Sequence, residues 1–182
     1  MRMRLKRVLK NNVGFSIIEL MVAVAILAVI SSVAMVSLYS VNQSNTKKST
    51  ASINSSLLLC KEKALTNAAK EWKTVVYEDK VEVVKVAFDD SVMTVASYDF
   101  PNNVKIFVNN TENGSNGELG EDYESVSFVF NTQGSVSKVY DNNGNSLKSS
   151  LGSYCYISSR YKSRKIKNVK LFFSTGKHIA ER

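Results

Sequence analysis

The sequence predicts an α+β protein: one long N-terminal helix packed on antiparallel β-sheet. Three observations carry this. An unbroken apolar run extends from Phe15 to about Tyr39, with Glu19 as its only charged residue. Apolar residues then recur at helical spacing as far as Trp72, and beyond it the period changes to two. Short turn-forming clusters separate the alternating segments, so strand follows strand with hairpin-length connections.

Residues 1–14 read as a leader with five cations, Arg2, Arg4, Lys6, Arg7 and Lys10, and no acid. A secretory signal has its apolar region before the cut. Here it follows Gly14, so removing the leader leaves the apolar segment attached. An uncleaved signal anchor is the plainer alternative, and both place the basic end in the cytoplasm.

Residues 15–41 are long enough to span a bilayer as a helix, which needs about 20 apolar residues. Ala23, Ala25, Ala28, Ser31, Ser32 and Ala34 interrupt the larger side chains, and small residues let helices approach closely in an apolar medium. A carboxylate at that depth is expensive, so Glu19 calls for a partner.

Residues 42–72 continue the helix against a globular domain. Ile53, Leu57, Ala64, Leu65, Ala68 and Trp72 share one face at spacings of three, four and seven. The whole helix is expected to run about 58 residues, roughly 87 Å at 1.5 Å per residue.

Residues 73–182 read as the antiparallel β domain. Strands are expected at 75–77, 81–88, 92–98, 104–108, 126–130, 136–140, 154–158 and 169–173. Glu78-Asp79-Lys80, Asp89-Asp90, Pro101-Asn102-Asn103, Gln133-Gly134, Asn142-Asn143-Gly144-Asn145 and Thr175-Gly176 supply the turns. Residues 109–122, rich in Asn, Gly and Glu, read as a flexible loop.

The basic leader, Gly14, Phe15, a Glu four residues on and then an apolar helix together resemble the prepilin signal of type IV pilins and type II secretion pseudopilins. Phe128-Val129-Phe130-Asn131-Thr132-Gln133-Gly134 is similar to the mid-domain turn of H-type pseudopilins and fimbrial T-type minor pilins. Lys170-Leu171-Phe172-Phe173-Ser174-Thr175-Gly176-Lys177 is similar to that group's closing strand and turn. Residues 73–125 have no such match, and the helix-breaking Pro that many pilins carry in the apolar segment is absent.

The resemblance implies a pilin-like fold, cleavage between Gly14 and Phe15 by a prepilin peptidase, and methylation of the new Phe15 amine. It implies that Glu19 neutralises the terminal amine of a neighbouring subunit during filament assembly. It also implies partners: other pilins or pseudopilins and an inner-membrane assembly platform with its ATPase. The location that follows is the cytoplasmic membrane, single-pass, with the globular domain outside, and then an extracytoplasmic filament. The expected role is a minor pilin or pseudopilin. A DNA-binding minor pilin of a competence pilus is the alternative, and a membrane-anchored adhesin that never polymerises is a third reading.

Charge is uneven. The formal +8 includes five leader cations, so the chain from Phe15 carries +3. Residues 15–153 balance at −4 and residues 154–182 at +7. The basic tail holds Arg160, Lys162, Arg164, Lys165, Lys167, Lys170, Lys177, His178 and Arg182. Lys177, His178 and Arg182 follow the closing glycine, where some T-type relatives contact DNA. A solvated face or pairing with acidic neighbouring subunits is the favoured reading over a nucleic-acid partner.

Cys60 and Cys155 are the only cysteines. A disulfide would staple helix to sheet, and two buried thiols that never meet are the alternative. A single His, no Gly-rich phosphate loop and no paired metal-ligand spacing argue against an enzyme, a cofactor or a metal site.

Overall fold

The computed structural model describes residues 16–112, 114, 117–161 and 164–181, and the side chains of 34–39, 164–166 and 181 lie outside the description. The chain falls into two compact units, Met1–Tyr39 and Ser40–Arg182.

The element order begins with α1 (Ile17–Thr66), β1 (Glu71–Tyr77), β2 (Lys80–Val86), β3 (Val92–Asp99) and β4 (Lys105–Asn109). It continues with β5 (Ser125–Phe130), β6 (Val136–Asp141), α2 (Lys148–Leu151), β7 (Tyr154–Tyr161), β8 (Arg164–Phe172) and β9 (His178–Glu181). Two antiparallel sheets form, one in the order β3-β2-β1-β5-β6 and one in the order β4-β7-β8-β9. The α+β expectation therefore holds: an N-terminal helix packs on antiparallel sheet.

Within the second unit α1 buries one stripe: Thr46, Ser49, Thr50, Ile53, Ser56, Leu57, Cys60 and Ala64. The spacing of three and four is that of a helical face. The first turns of the stripe are polar yet buried. Their hydroxyls donate to carbonyls one turn back, Thr46 to Gln43 at 3.0 Å and Thr50 to Thr46 at 2.9 Å, which removes most of the desolvation cost. Ile53, Leu57, Cys60 and Ala64 join a single core cluster with Val76, Val83, Phe128 and Val139 of the first sheet. Ile106, Ile157, Val169 and Leu171 of the second sheet complete it. The whole cluster lies between Ile53 and Phe173, so the second unit holds a hydrophobic core of its own.

Three expectations change. The helix ends at Thr66 and not at 72: the Asn67 amide closes the last turn on the Lys63 carbonyl at 2.8 Å. Trp72 belongs to β1, paired with Lys85 and Phe130, and its indole N–H donates to the Asn67 carbonyl at 3.0 Å. Leu65 and Ala68 are exposed and not part of the packed face. The 109–122 loop is built in its second half. Leu119 is buried, and the Asp122 carboxylate accepts the Gly117 and Glu118 amides at 2.7 and 3.0 Å. The sequence reading also lacked α2 and β9.

The two turns that carried the subfamily resemblance pack on one another. Gly134 and Gly176 both have positive φ, 77° and 56°. A Cβ on Gly176 would stand 1.9 Å from the Gly134 carbonyl oxygen, and one on Gly134 would stand 3.0 Å from Lys61 Cε. The Lys61 ammonium meanwhile donates to the Thr175 carbonyl at 2.9 Å. The last turns of α1, the β5–β6 turn and the turn after β8 thus form one junction.

This predicts a ranking of glycine substitutions. Gly144 also has positive φ, 80°, but a Cβ there meets nothing within 4 Å. Gly144→Ala should cost about 1–2 kcal/mol through backbone conformation alone. Gly176→Ala adds a backbone clash and should cost about 2–4 kcal/mol. Denaturant midpoints of the Ser40–Arg182 fragment check it, and equal losses at the two positions would contradict the junction.

Candidate functional site

Gly14 and Phe15, the expected processing positions, lie outside the described residues, as does Arg182. Description begins at Ser16, one residue before α1, and the start of that helix has a defined geometry. The Ser16 amide donates to Glu19 Oε2 at 2.9 Å, and the Glu19 amide donates to Ser16 Oγ at 3.2 Å. This reciprocal pair is a capping box, with Ser16 at the N-cap and Glu19 three positions on. It satisfies two donors that a helix start leaves open, and it holds a carboxylate at the positive end of the helix dipole.

The surroundings of this start are apolar and open. Ile17 is 79% exposed and Ile18 73%, and Leu20, Val24, Leu27 and Val33 are exposed as well. Nothing else in the first unit covers them among the described residues. No helix is long and apolar enough to cross a membrane among the described residues. The membrane-spanning role of residues 15–41 accordingly remains a reading of the sequence.

Residues 9–35 match the family model of the prokaryotic N-terminal methylation motif. The match supports a prepilin-type signal and, with it, a type IV pilin-like or pseudopilin subunit. It implies processing by a prepilin peptidase and assembly with other pilins, and it points to a structural subunit and not an enzyme. No curated protein and no solved structure was found to match the chain.

The other expected positions separate into two groups. Cys60 and Cys155 both lie in the core cluster as free thiols, so the candidate bridge is not formed in this structure. Burial pushes the Cys60 thiol up to about 12, against the opposing hydrogen bond from Thr74, and burial likewise raises Cys155. Both therefore stay protonated at neutral pH and are poor nucleophiles.

The basic tail is divided. Arg160 is buried, with its guanidinium 4.2 Å from the centre of the Phe107 ring and donating to the Gly114 carbonyl. The Lys170 ammonium sits over Tyr154, Tyr156 and Phe172 at 4.4, 5.1 and 5.1 Å. These two cations serve packing within the domain. Lys177 is exposed, and His178 is half-buried beside the end of α1. Desolvation holds His178 below its usual range, the Lys61 charge acts the same way, and its bond to the Gly176 carbonyl opposes them. The ring is thus mainly neutral at pH 7. Among the described residues no cluster of His, Cys, Asp and Glu could hold a metal ion.

The sequence reading missed Ser16 as a partner of Glu19. The S-x-x-E pattern before an apolar run was the available signal.

The capping box makes two variants informative. Gln at position 19 keeps an acceptor for the Ser16 amide but no charge, whereas Val removes both. In detergent micelles, Glu19→Val should destabilise the helix start by about 0.5–2 kcal/mol and speed exchange of the Ser16 amide. Glu19→Gln should leave that exchange near wild type. If assembly needs the charge to pair an amine in apolar surroundings, both variants should lose incorporation into filaments, at about 3–5 kcal/mol for a broken buried pair. Wild-type incorporation of Glu19→Gln would mean that Glu19 acts only as a cap.

Proposed function

We propose that the chain is a minor pilin or pseudopilin, a structural subunit of a type IV pilus or type II secretion pseudopilus. The observation that carries this reading is the methylation-motif match over residues 9–35. The capped helix start at Ser16 and Glu19, followed by an apolar helix with every side open, supports it.

In this reading a prepilin peptidase removes residues 1–14 between Gly14 and Phe15 and the Phe15 amine is methylated. The positive leader keeps the N-terminus in the cytoplasm and the globular domain outside. Residues 15–41 hold the chain in the cytoplasmic membrane, and an inner-membrane platform draws it into an extracytoplasmic filament. Glu19 then pairs with the Phe15 amine of a neighbouring subunit, because two opposite charges in an apolar medium cost far less together than apart. Assignment to the H-type and T-type group rests on the Phe128–Gly134 and Lys170–Lys177 resemblances, whose turns meet at the end of α1.

Intact-mass analysis of the protein extracted from membranes of cells with an active prepilin peptidase tests the reading. The expected mass is that of a chain beginning at Phe15 with one added methyl group. Gly14→Val should leave the full-length precursor, since a branched side chain beside the scissile bond blocks the cut. A wild-type chain that keeps Met1–Gly14 would overturn the proposal.

A further inference from the structure

The four sheet edges are finished differently. β4 is covered by its own following loop: the Val108 amide donates to the Gly117 carbonyl at 2.8 Å and the Leu119 amide to the Ile106 carbonyl at 2.9 Å. β6 is met by the segment after it, with the Leu147 amide on the Val139 carbonyl at 2.8 Å. β9 has only four residues. β3 has eight residues, none of them buried, and a single charge, Asp99. Long, bare, apolar edges are what folded proteins usually avoid.

Strand addition along β3 is nevertheless poorly served. The register slips where Val83 pairs Ala96 and Val84 pairs Thr94, which leaves Val95 as a bulge in mid-strand. A bulge interrupts a ladder and twists the strand. The side chains near the β2–β3 hairpin tip therefore offer the contact, more than the backbone does. Phe88 at the tip is 74% exposed, with Val92 and Met93 next to it at 66% and 63%. Asp89 is held ionised there by the Ser91 hydroxyl and amide, at 2.6 and 3.1 Å. Asp90 pairs with Lys70.

A surface of matching character lies elsewhere on the same unit. A groove of about 470 Å³ is lined by Leu58, Lys61, Glu62, Leu65, Lys177 and His178. Leu58 and Leu65 are each about half exposed, at 54% and 51%. These two leucines sit on the helix outside its buried stripe. With His178 neutral, two ammonium groups stand against one carboxylate, a balance of +1. At the turn of the hairpin Asp89 and Asp90 stand against Lys70, a balance of −1 for the turn, while Lys85, across from Met93, has its ammonium over the Trp72 ring at 6.0 Å. Apolar centre meets apolar centre and the rims have opposite sign, the arrangement that specifies a partner and its register.

We propose that the Phe88 tip of one copy seats between Leu58 and Leu65 in the groove of a second copy, with Asp89 facing Lys61 and Lys177. The inference rests on the proposed reading of the chain as a pilin-like subunit and adds to it that copies of this chain meet one another. The two surfaces differ, so the contact is heterologous, and each copy added leaves a free tip and a free groove.

Cross-linking in cells that make the full chain with its assembly apparatus tests this. Thr94→Cys and Thr66→Cys place thiols at exposed positions beside the tip and the groove without touching any residue that the contact uses. Cys60 and Cys155 are fully buried and should stay silent to a short bis-maleimide. The double variant should give a ladder of dimers and higher species. The two single variants made in one cell should give dimers only, and the pair Thr66→Cys with Asn143→Cys should give none. Phe88→Ser, at an exposed position, should reduce the ladder at least tenfold while leaving the mature mass unchanged. A processed chain that stays monomeric, or a ladder as strong with the Asn143 pair, would overturn the contact and leave the prepilin reading standing. A chain that keeps its leader overturns that reading instead, and the ladder then decides the contact by itself.

Discussion

One helix has two halves with opposite demands. From Thr46 to Ala64 it presents a single stripe to a core that its own domain supplies. From Ile17 to Val33 it presents apolar side chains in every direction and its own unit covers none of them. Eleven large apolar side chains in that segment are more than half exposed. Full burial of such a side chain gains about 1.5–3 kcal/mol, so the segment as a whole stands to gain on the order of 15–30 kcal/mol. That exceeds the net stability of a typical domain, about 5–15 kcal/mol. A segment of this kind calls for a covering that its own unit does not supply, and in the proposed reading lipid and neighbouring subunits provide it.

The carboxylate at the head of the segment sharpens the constraint. An ionised group in apolar surroundings needs donors or an opposite charge. The capping box gives Glu19 one backbone donor and the helix dipole gives it a favourable field. Neither neutralises a full charge. After Glu19 the next charged residue is Lys47, and before it the cations all lie in residues 1–14, so once that leader is removed, as proposed, a counter-charge comes from the new chain terminus or from another molecule. The proposed amine of a processed neighbour would meet that need, and the methylation-motif match supports such an amine being made.

Much of the fold was legible because its signals are periodic. Val81 and Val83 are buried with Glu82 between them in β2, as alternation requires. The helix end was misplaced because Trp72 falls at a helical spacing from Ala68 by coincidence, and tertiary pairing with Lys85 and Phe130 claimed it for β1. β9 escaped because His-Ile-Ala-Glu is too short to show a period, and it forms only by pairing with β8. The 109–122 loop looked flexible by composition, but composition does not reveal one carboxylate capping two amides or a single buried Leu119. At the site, residue types gave Glu19 its importance while its local partner, Ser16, required attention to an i, i+3 relation that polar helix starts share. The basic tail was the least legible part, since neither charge nor spacing discloses that Arg160 and Lys170 lie on aromatic rings.

The central claim is that the apolar half of α1 ends up buried against other subunits and not only in lipid. Thiol labelling at one position inside it tests this directly. Leu27 is 62% exposed in the single chain, and the native cysteines are fully buried. In sheared filaments washed free of lipid, Leu27→Cys should be present in the mature chain and should resist a water-soluble maleimide until detergent dissociates the filament. A Leu27→Cys chain that is missing from the filaments, or that labels in them as fast as the detergent-dissociated chain, would contradict the account.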